Sequence, residues 1–154
     1  MADDFFAYQR RRLGVLLAWG VGSMVAGPLA LLGRNAFWRQ FGIQTFSWGA
    51  IDALLAFFGR RGARTKAERR AQGLLTTADE LREARSFRTI LLLNAGLDVL
   101  YIAGGAVLAW RQWAQRDRRG MGLGIIPQGV FLLLYDSLLA HEVGQRFLAQ
   151  SAKR

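Results

Sequence analysis

Cysteine is absent from this chain, which excludes disulfides, thiol catalysis and Cys-ligated metals. Histidine occurs once, at His141, so bis-histidine haem ligation is excluded as well, and Met1, Met24 and Met121 are poorly placed as axial partners. A zinc site would need His141 together with carboxylates; beside Glu142 at the end of an apolar run, His141 fits a capping or interfacial role better. Lysine is confined to Lys66 and Lys153, so arginine carries nearly all the positive charge, an ordinary mark of a GC-rich genome. No P-loop and no Ser-His-Asp spacing occurs, and Gly104-Gly105 and Gly120-Met-Gly122-Leu-Gly124 have no strand beside them to make a nucleotide-binding turn. Met1 to Tyr8 is acidic and aromatic, without the small-residue cleavage site of a signal peptide. No cofactor is indicated by any of these features.

What the chain does have is apolar length. Its 154 residues are 52% hydrophobic yet carry a formal charge of +10. The basic residues flank apolar segments instead of lining one face, which argues against nucleic acid as a partner. Four segments are long enough to cross about 30 Å of hydrocarbon at 1.5 Å per residue: 13–33, 41–59, 89–110 and 121–140. Pro28 and Pro127 lie inside the first and fourth, where neighbouring helices can satisfy the freed carbonyls. The expected fold is all-α, a four-span antiparallel bundle of two helical hairpins, with residues 60–88 as a cytoplasmic amphipathic linker. Thr77-Ala-Asp-Glu80 reads as the capping box that starts the helix leading into the third span.

Basic-residue bias sets the expected orientation. With both termini inside, inner segments hold fifteen basic residues against six outside. The inner set is Arg10 to Arg12, nine residues from Arg60 to Arg88, then Arg146, Lys153 and Arg154. This predicts a multi-pass protein of a bacterial inner membrane, N-in and C-in. Trp38, Trp110 and Trp113 then fall at the outer interface. Arg60, Arg61, Arg64, Lys66, Arg69 and Arg70 either lie against anionic lipid headgroups or act only as topology signals.

Three aspartates sit inside otherwise apolar spans: Asp52, Asp98 and Asp136. A carboxylate at bilayer depth costs about 2.5–3.5 kcal/mol on insertion scales, so it is rare and normally faces protein or a water-filled cavity. Along their spans all three lie on the inner side of the midplane, Asp136 deepest by about 5 Å at 1.5 Å per residue. Asn94, Asp98, Tyr101 and Gly105 form one stripe of the third span; Gln44, Trp48 and Asp52 do so on the second. Gln128, Tyr135 and Asp136 face broadly one way on the fourth. Gln44 precedes Asp52 by eight residues, as Gln128 precedes Asp136, and Leu-Leu-Ala follows one position beyond each acid, at 54–56 and 138–140. This hints at a parallel repeat of hairpins, a layout some transporters use.

Three clustered carboxylates without a buried Lys or Arg cannot all stay ionised unless a proton or cation compensates them. That describes a proton relay, a cation site or a pocket for a small polar or positively charged ligand, with Asp52, Asp98, Asp136, Asn94, Gln44, Gln128, Trp48, Tyr101 and Tyr135 as its residues. The competing reading makes each acid interhelical glue, worth about 0.6 kcal/mol on average. On that reading the chain is a non-catalytic accessory subunit docking on a larger membrane complex, or on copies of itself, by small-residue faces. Ala18, Gly22, Ala26 and Ala30 form one small-residue stripe and Gly49 and Ala53 another, and these let helix backbones approach closely either within the bundle or between protomers. An intramembrane lipid-modifying enzyme using Asp98 and Asp136 as acid and base would lack a nucleophile or metal motif.

Asn94-Ala-Gly-Leu-Asp98-Val-Leu-Tyr101 and Gln128-Gly-Val-Phe-Leu-Leu-Leu-Tyr-Asp136 carry a family likeness. In these, and in Trp48 with Asp52, the chain resembles small four-span bacterial membrane proteins known only as a domain of unknown function. The resemblance covers nearly the whole chain and implies the fold but no activity. The family often has an amide where Asp52 stands, which weakens any mechanism requiring three carboxylates.

Overall fold

The structure, a computed structural model, describes residues 4–149. Four helices follow one another with short turns. Helix α1 (Phe5–Ala30) ends in a 3-10 turn at Leu31–Gly33; α2 spans Ala36–Ala71, α3 Thr77–Arg111 and α4 Arg116–Val143, with a π-helical continuation at Gly144–Leu148. Each is long and apolar enough to cross a membrane, as in a multi-pass membrane protein. Alternating direction makes two antiparallel hairpins, with Phe5 and Leu148 at one end, here the terminal end. The turns at 34–35 and 112–115 mark the loop end, where Trp38, Trp110 and Trp113 are all exposed.

Polar side chains start three of the helices. Asp4 accepts from the Phe6 amide at 3.0 Å, and Asn35 Oδ1 accepts from the Trp38 amide at 3.0 Å. The third cap lies one residue before its expected place: Thr76 and Asp79 close the capping box, not Thr77 and Glu80. Both frames read Thr-x-x-acid, but Glu80 is engaged elsewhere, accepting the Phe5 amide at 2.8 Å and pairing with Arg70 at 3.2 Å.

Residues 60–88 are not a separate linker. Helix α2 has 36 residues, about 54 Å at 1.5 Å per residue, and runs well past its apolar span. Helix α3 begins equally early, so the connection shrinks to 72–76. Lys66 with Glu83 at 2.7 Å and Arg70 with Glu80 tie the two extensions together. Arg64 pairs with Glu68 one turn along α2, so three of the six basic residues between Arg60 and Arg70 are held within the chain. Lys153 and Arg154 lie outside the described residues.

Glycine sets how the helices meet. A methyl group at Gly20 would stand 2.7 Å from the Gly49 carbonyl, and one at Gly27 2.7 Å from that of Gly42, so α1 and α2 touch backbone to backbone. The contact row on α1 is therefore Gly20, Ser23 and Gly27. The expected row of Ala18, Gly22 and Ala26 points outward, with open space around Gly22; only Ala30, next to Gly42, reaches α2. Helix α4 divides its glycines between two neighbours. Gly120 and Gly124 abut Phe37 and Phe41 of α2, whereas Gly122 and Gly129 abut Gly105, Ala109 and Ile102 of α3. These close approaches are what glycine permits in apolar bundles.

At the terminal end all four helices enclose one apolar cluster. Phe5, Phe6, Tyr8, Ala84, Leu91, Leu139, Ala140 and Val143 are buried there, with Phe87 and Phe147 against them. Phe5, Phe6 and Tyr8 rank among the largest fully buried side chains, so the acidic, aromatic beginning of α1 is a core element.

Candidate functional site

Among the described residues, six polar side chains are buried in the bundle: Ser23, Thr45, Asp52, Asp98, Gln128 and Asp136. Thr45 donates back to the Phe41 carbonyl of its own helix at 2.9 Å, and the other five divide into two groups. Gln128 of α4 belongs to α1: its Oε1 accepts from Trp19 Nε1 at 2.9 Å, and its amide donates to Ser23 Oγ at 3.3 Å. The Trp19 indole also stacks on Phe131, ring centres 3.9 Å apart. Gln128 is thus committed to a clamp between α1 and α4 and does not serve the acids. Tyr135 turns the same way, donating to the Arg12 carbonyl at 2.9 Å. Gln44 lies on the α2–α4 contact beside Gly124. Sequence reasoning misses Trp19 and Ser23, because an indole in an apolar span looks like lipid-facing bulk.

The second group holds the aspartates. Asp52 and Asp98 are each 3% exposed, and Asp98 lies within Coulombic range of both Asp52 and Asp136. Asn94, one turn before Asp98 and otherwise exposed, brings its amide to the Asp136 carboxyl. Asp52 Oδ2 and Asp98 Oδ2, by contrast, are fully buried with no hydrogen-bonding protein group. A buried carboxylate oxygen without a partner carries a desolvation cost of about 1–3 kcal/mol or more. Among the described residues no three His, Cys, Asp or Glu side chains converge closely enough to hold a metal ion.

Register explains the matched pairs. The offset between packed residues of α2 and α4 is 83, from Phe37 against Gly120 and Phe41 against Gly124. The Gln-to-Gln and Asp-to-Asp offset is 84. Helices α2 and α4 run parallel, so the matched Gln and Asp pairs stand within about one helical turn of each other along the two helices.

Beside Asp98 lies a narrow crevice, partly open to the surroundings and too tight for a water molecule, lined by Trp48, Asp98, Tyr101, Ile125, Gly129 and Leu132. The Trp48 and Tyr101 rings meet edge to face across it, centres 4.9 Å apart. The structure therefore brings together Asp52, Asp98, Asp136 and Asn94, with Trp48 and Tyr101 alongside.

A third polar assembly stands at the terminal end. Tyr8 donates to Glu142 at 2.6 Å, and Arg12 pairs with the same carboxylate at 2.6 Å. These hydrogen bonds and the nearby arginines hold the Glu142 carboxyl below the usual range. Burial, and next the Glu142 charge, push the Tyr8 hydroxyl up to about 12. His141 beside it is exposed.

Comparison with curated proteins and with solved structures yields no match. Residues 15–137, a stretch holding every polar residue of the bundle interior but not Tyr8, Arg12 or Glu142, match the family of unknown function DUF6992, and the chain belongs to that family.

Proposed function

We propose that the chain is a multi-pass membrane protein whose interior binds a proton or a single monovalent cation at the Asp52, Asp98 and Asp136 cluster. The unpartnered oxygens of Asp52 and Asp98 carry this reading. A carboxylate so buried needs a compensating charge, and among the described residues no Lys or Arg side chain is buried with it. The lack of a three-ligand metal arrangement among the described residues favours a proton or one monovalent ion over a chelated divalent metal. The site is read as a binding site first, and conduction would need the bundle to open. The terminal end, with Arg10 to Arg12, the arginines of the α2 and α3 extensions and Arg146, is read as cytoplasmic. Exposed Arg61 and Arg69 are then placed for anionic headgroups.

Infrared titration of the carboxyl stretch in lipid nanodiscs tests the site. Its protonated-carboxyl band is expected to respond to added monovalent cation and to change its titration in Asp52→Asn and Asp136→Asn. A band indifferent to cations and to both substitutions would leave only independent structural acids.

A second reading has its own observation. The Ala18, Gly22 and Ala26 face is exposed and unused by the bundle, as a docking surface for a second copy or a larger complex requires. Gly22→Leu meets nothing within the chain, so it should leave the monomer folded while dissociating such an assembly in native mass spectrometry. Unchanged assembly mass would remove this reading.

A further inference from the structure

The crevice beside Asp98 has a chemistry more specific than acidity. Helices α2 and α3 do not pack against each other backbone to backbone; each leans on α4 instead. Between them, above the α4 floor of Ile125, Gly129 and Leu132, the span is bridged by the Trp48–Tyr101 ring contact. Behind those rings stands Asp98, whose Oδ2 has no protein partner. Tyr101 follows Asp98 by three residues on the same helical face and is 40% exposed, so its ring can swing outward. Ile51 and Leu97, one turn along α2 and α3 from the aromatic pair, are large, apolar and exposed. The mouth is thus apolar on the outer surface of the bundle, while the inner wall is a carboxyl flanked by two π-systems.

We propose that this crevice is a lateral binding site for the ammonium head of a hydrophobic amine, with Asp98 as counter-charge, Trp48 and Tyr101 against the cation, and the hydrocarbon tail left in the lipid. The inference rests on the reading of Asp98 as a carboxyl lacking compensation within the protein. Three features select this class. An unpartnered carboxylate selects a cation. Aromatic rings reward a weakly hydrated organic cation, whose charge they meet with their negative faces. An apolar mouth disfavours a hydrated inorganic ion, which would have to shed its water in contact with leucine and isoleucine. The crevice is closed even to water with the rings in contact, so the Trp48 and Tyr101 rings must part to admit the ammonium head.

The probe is n-hexylammonium, with uncharged n-hexanol as control, titrated calorimetrically into the full chain in nanodiscs against empty nanodiscs at pH 8. An alkylamine with a pKa near that of lysine, about 10.4, stays charged there. Saturable binding is expected for hexylammonium alone. It should weaken at least about tenfold in Asp98→Asn, which keeps shape but removes the charge. Tyr101→Leu should weaken it by about threefold or more, whereas Tyr101→Phe should retain it. Tyr101 is exposed, so its variants report even if Asp98→Asn does not fold. No saturable binding, equal binding of hexanol, or equal affinity in Asp98→Asn or Tyr101→Leu would overturn the proposal. If the infrared band still responds to monovalent cations while hexylammonium does not bind, only the amine site falls. If the band never responds, the underlying proton or cation reading falls with it.

Discussion

Tyr8 and Glu142, 134 residues apart in the chain, meet at 2.6 Å and close the terminal end of the bundle. The hydroxyl donates to a charged acceptor that also holds Arg12. Tyr8→Phe keeps the ring in its apolar cluster but removes this bond, and should cost about 1–2 kcal/mol, since hydrogen bonds to charged groups are worth about 1.5–3 and this one is partly solvated. Thermal unfolding in detergent measures the loss.

The same pair gives a pH window. Glu142 titrates below its unfolded value of about 4.3, so its contribution is complete above that value and is lost as pH falls through the lower folded value. Tyr8 is raised to about 12, so its contribution is complete below about 10 and is lost as pH rises toward 12. Chymotrypsin sensitivity at Phe5 and Phe6 should be flat between these limits and increase at both extremes. An optimum confined to a narrow neutral range would contradict the assignment.

Adjacent glycines in α3 should respond oppositely. Gly104→Ala meets nothing within 4 Å and should stabilise the helix by about 0.5–1 kcal/mol. Gly105→Ala sets a methyl 2.8 Å from the Gly122 carbonyl and should destabilise by about 1–3 kcal/mol. Paired melting curves of the two variants decide it.

Gln128→Leu removes the common partner of Trp19 and Ser23 and leaves an indole N–H and a hydroxyl buried without acceptors. The expected cost is about 1–3 kcal/mol, with a changed near-UV circular dichroism signal from Trp19. An unaltered spectrum would mean the clamp does not fix the indole.

Orientation is testable by single cysteines in a chain that has none of its own. Gln115, in the turn between α3 and α4, should label from outside intact cells. Gln72, in the turn between α2 and α3, should not. Labelling of Gln72 alone would invert the topology.

The four spans are legible in the sequence because long apolar runs broken by single acids suit little besides a membrane-spanning helix. The helix limits are not: charged extensions such as Arg60 to Arg70 resemble a linker until Lys66 and Arg70 find Glu83 and Glu80. Small-residue faces are ambiguous for a geometric reason. Ala18, Gly22 and Ala26 and Gly20, Ser23 and Gly27 both recur every three or four residues, and only the partner helix selects between them. Within the site, Asp98 with Asn94 and Tyr101 follows from spacing. The diversion of Gln128 and Tyr135 toward α1 does not, because a side chain between two neighbours can turn to either. Phe5, Phe6 and Tyr8 read in the sequence only as part of an acidic, aromatic segment unlike a signal peptide, although Phe5, Tyr8 and Arg12 share the spacing of one helical face.

The burial of those aromatics also has a consequence for biosynthesis. Phe5, Phe6 and Tyr8 leave the ribosome well before Leu139, Ala140, Val143 and Phe147, which help to cover them. Contacts of such sequence separation form late. The growing chain must therefore carry these three aromatic side chains without their α4 cover until that helix is made, and the fourth helix completes a core that the first began.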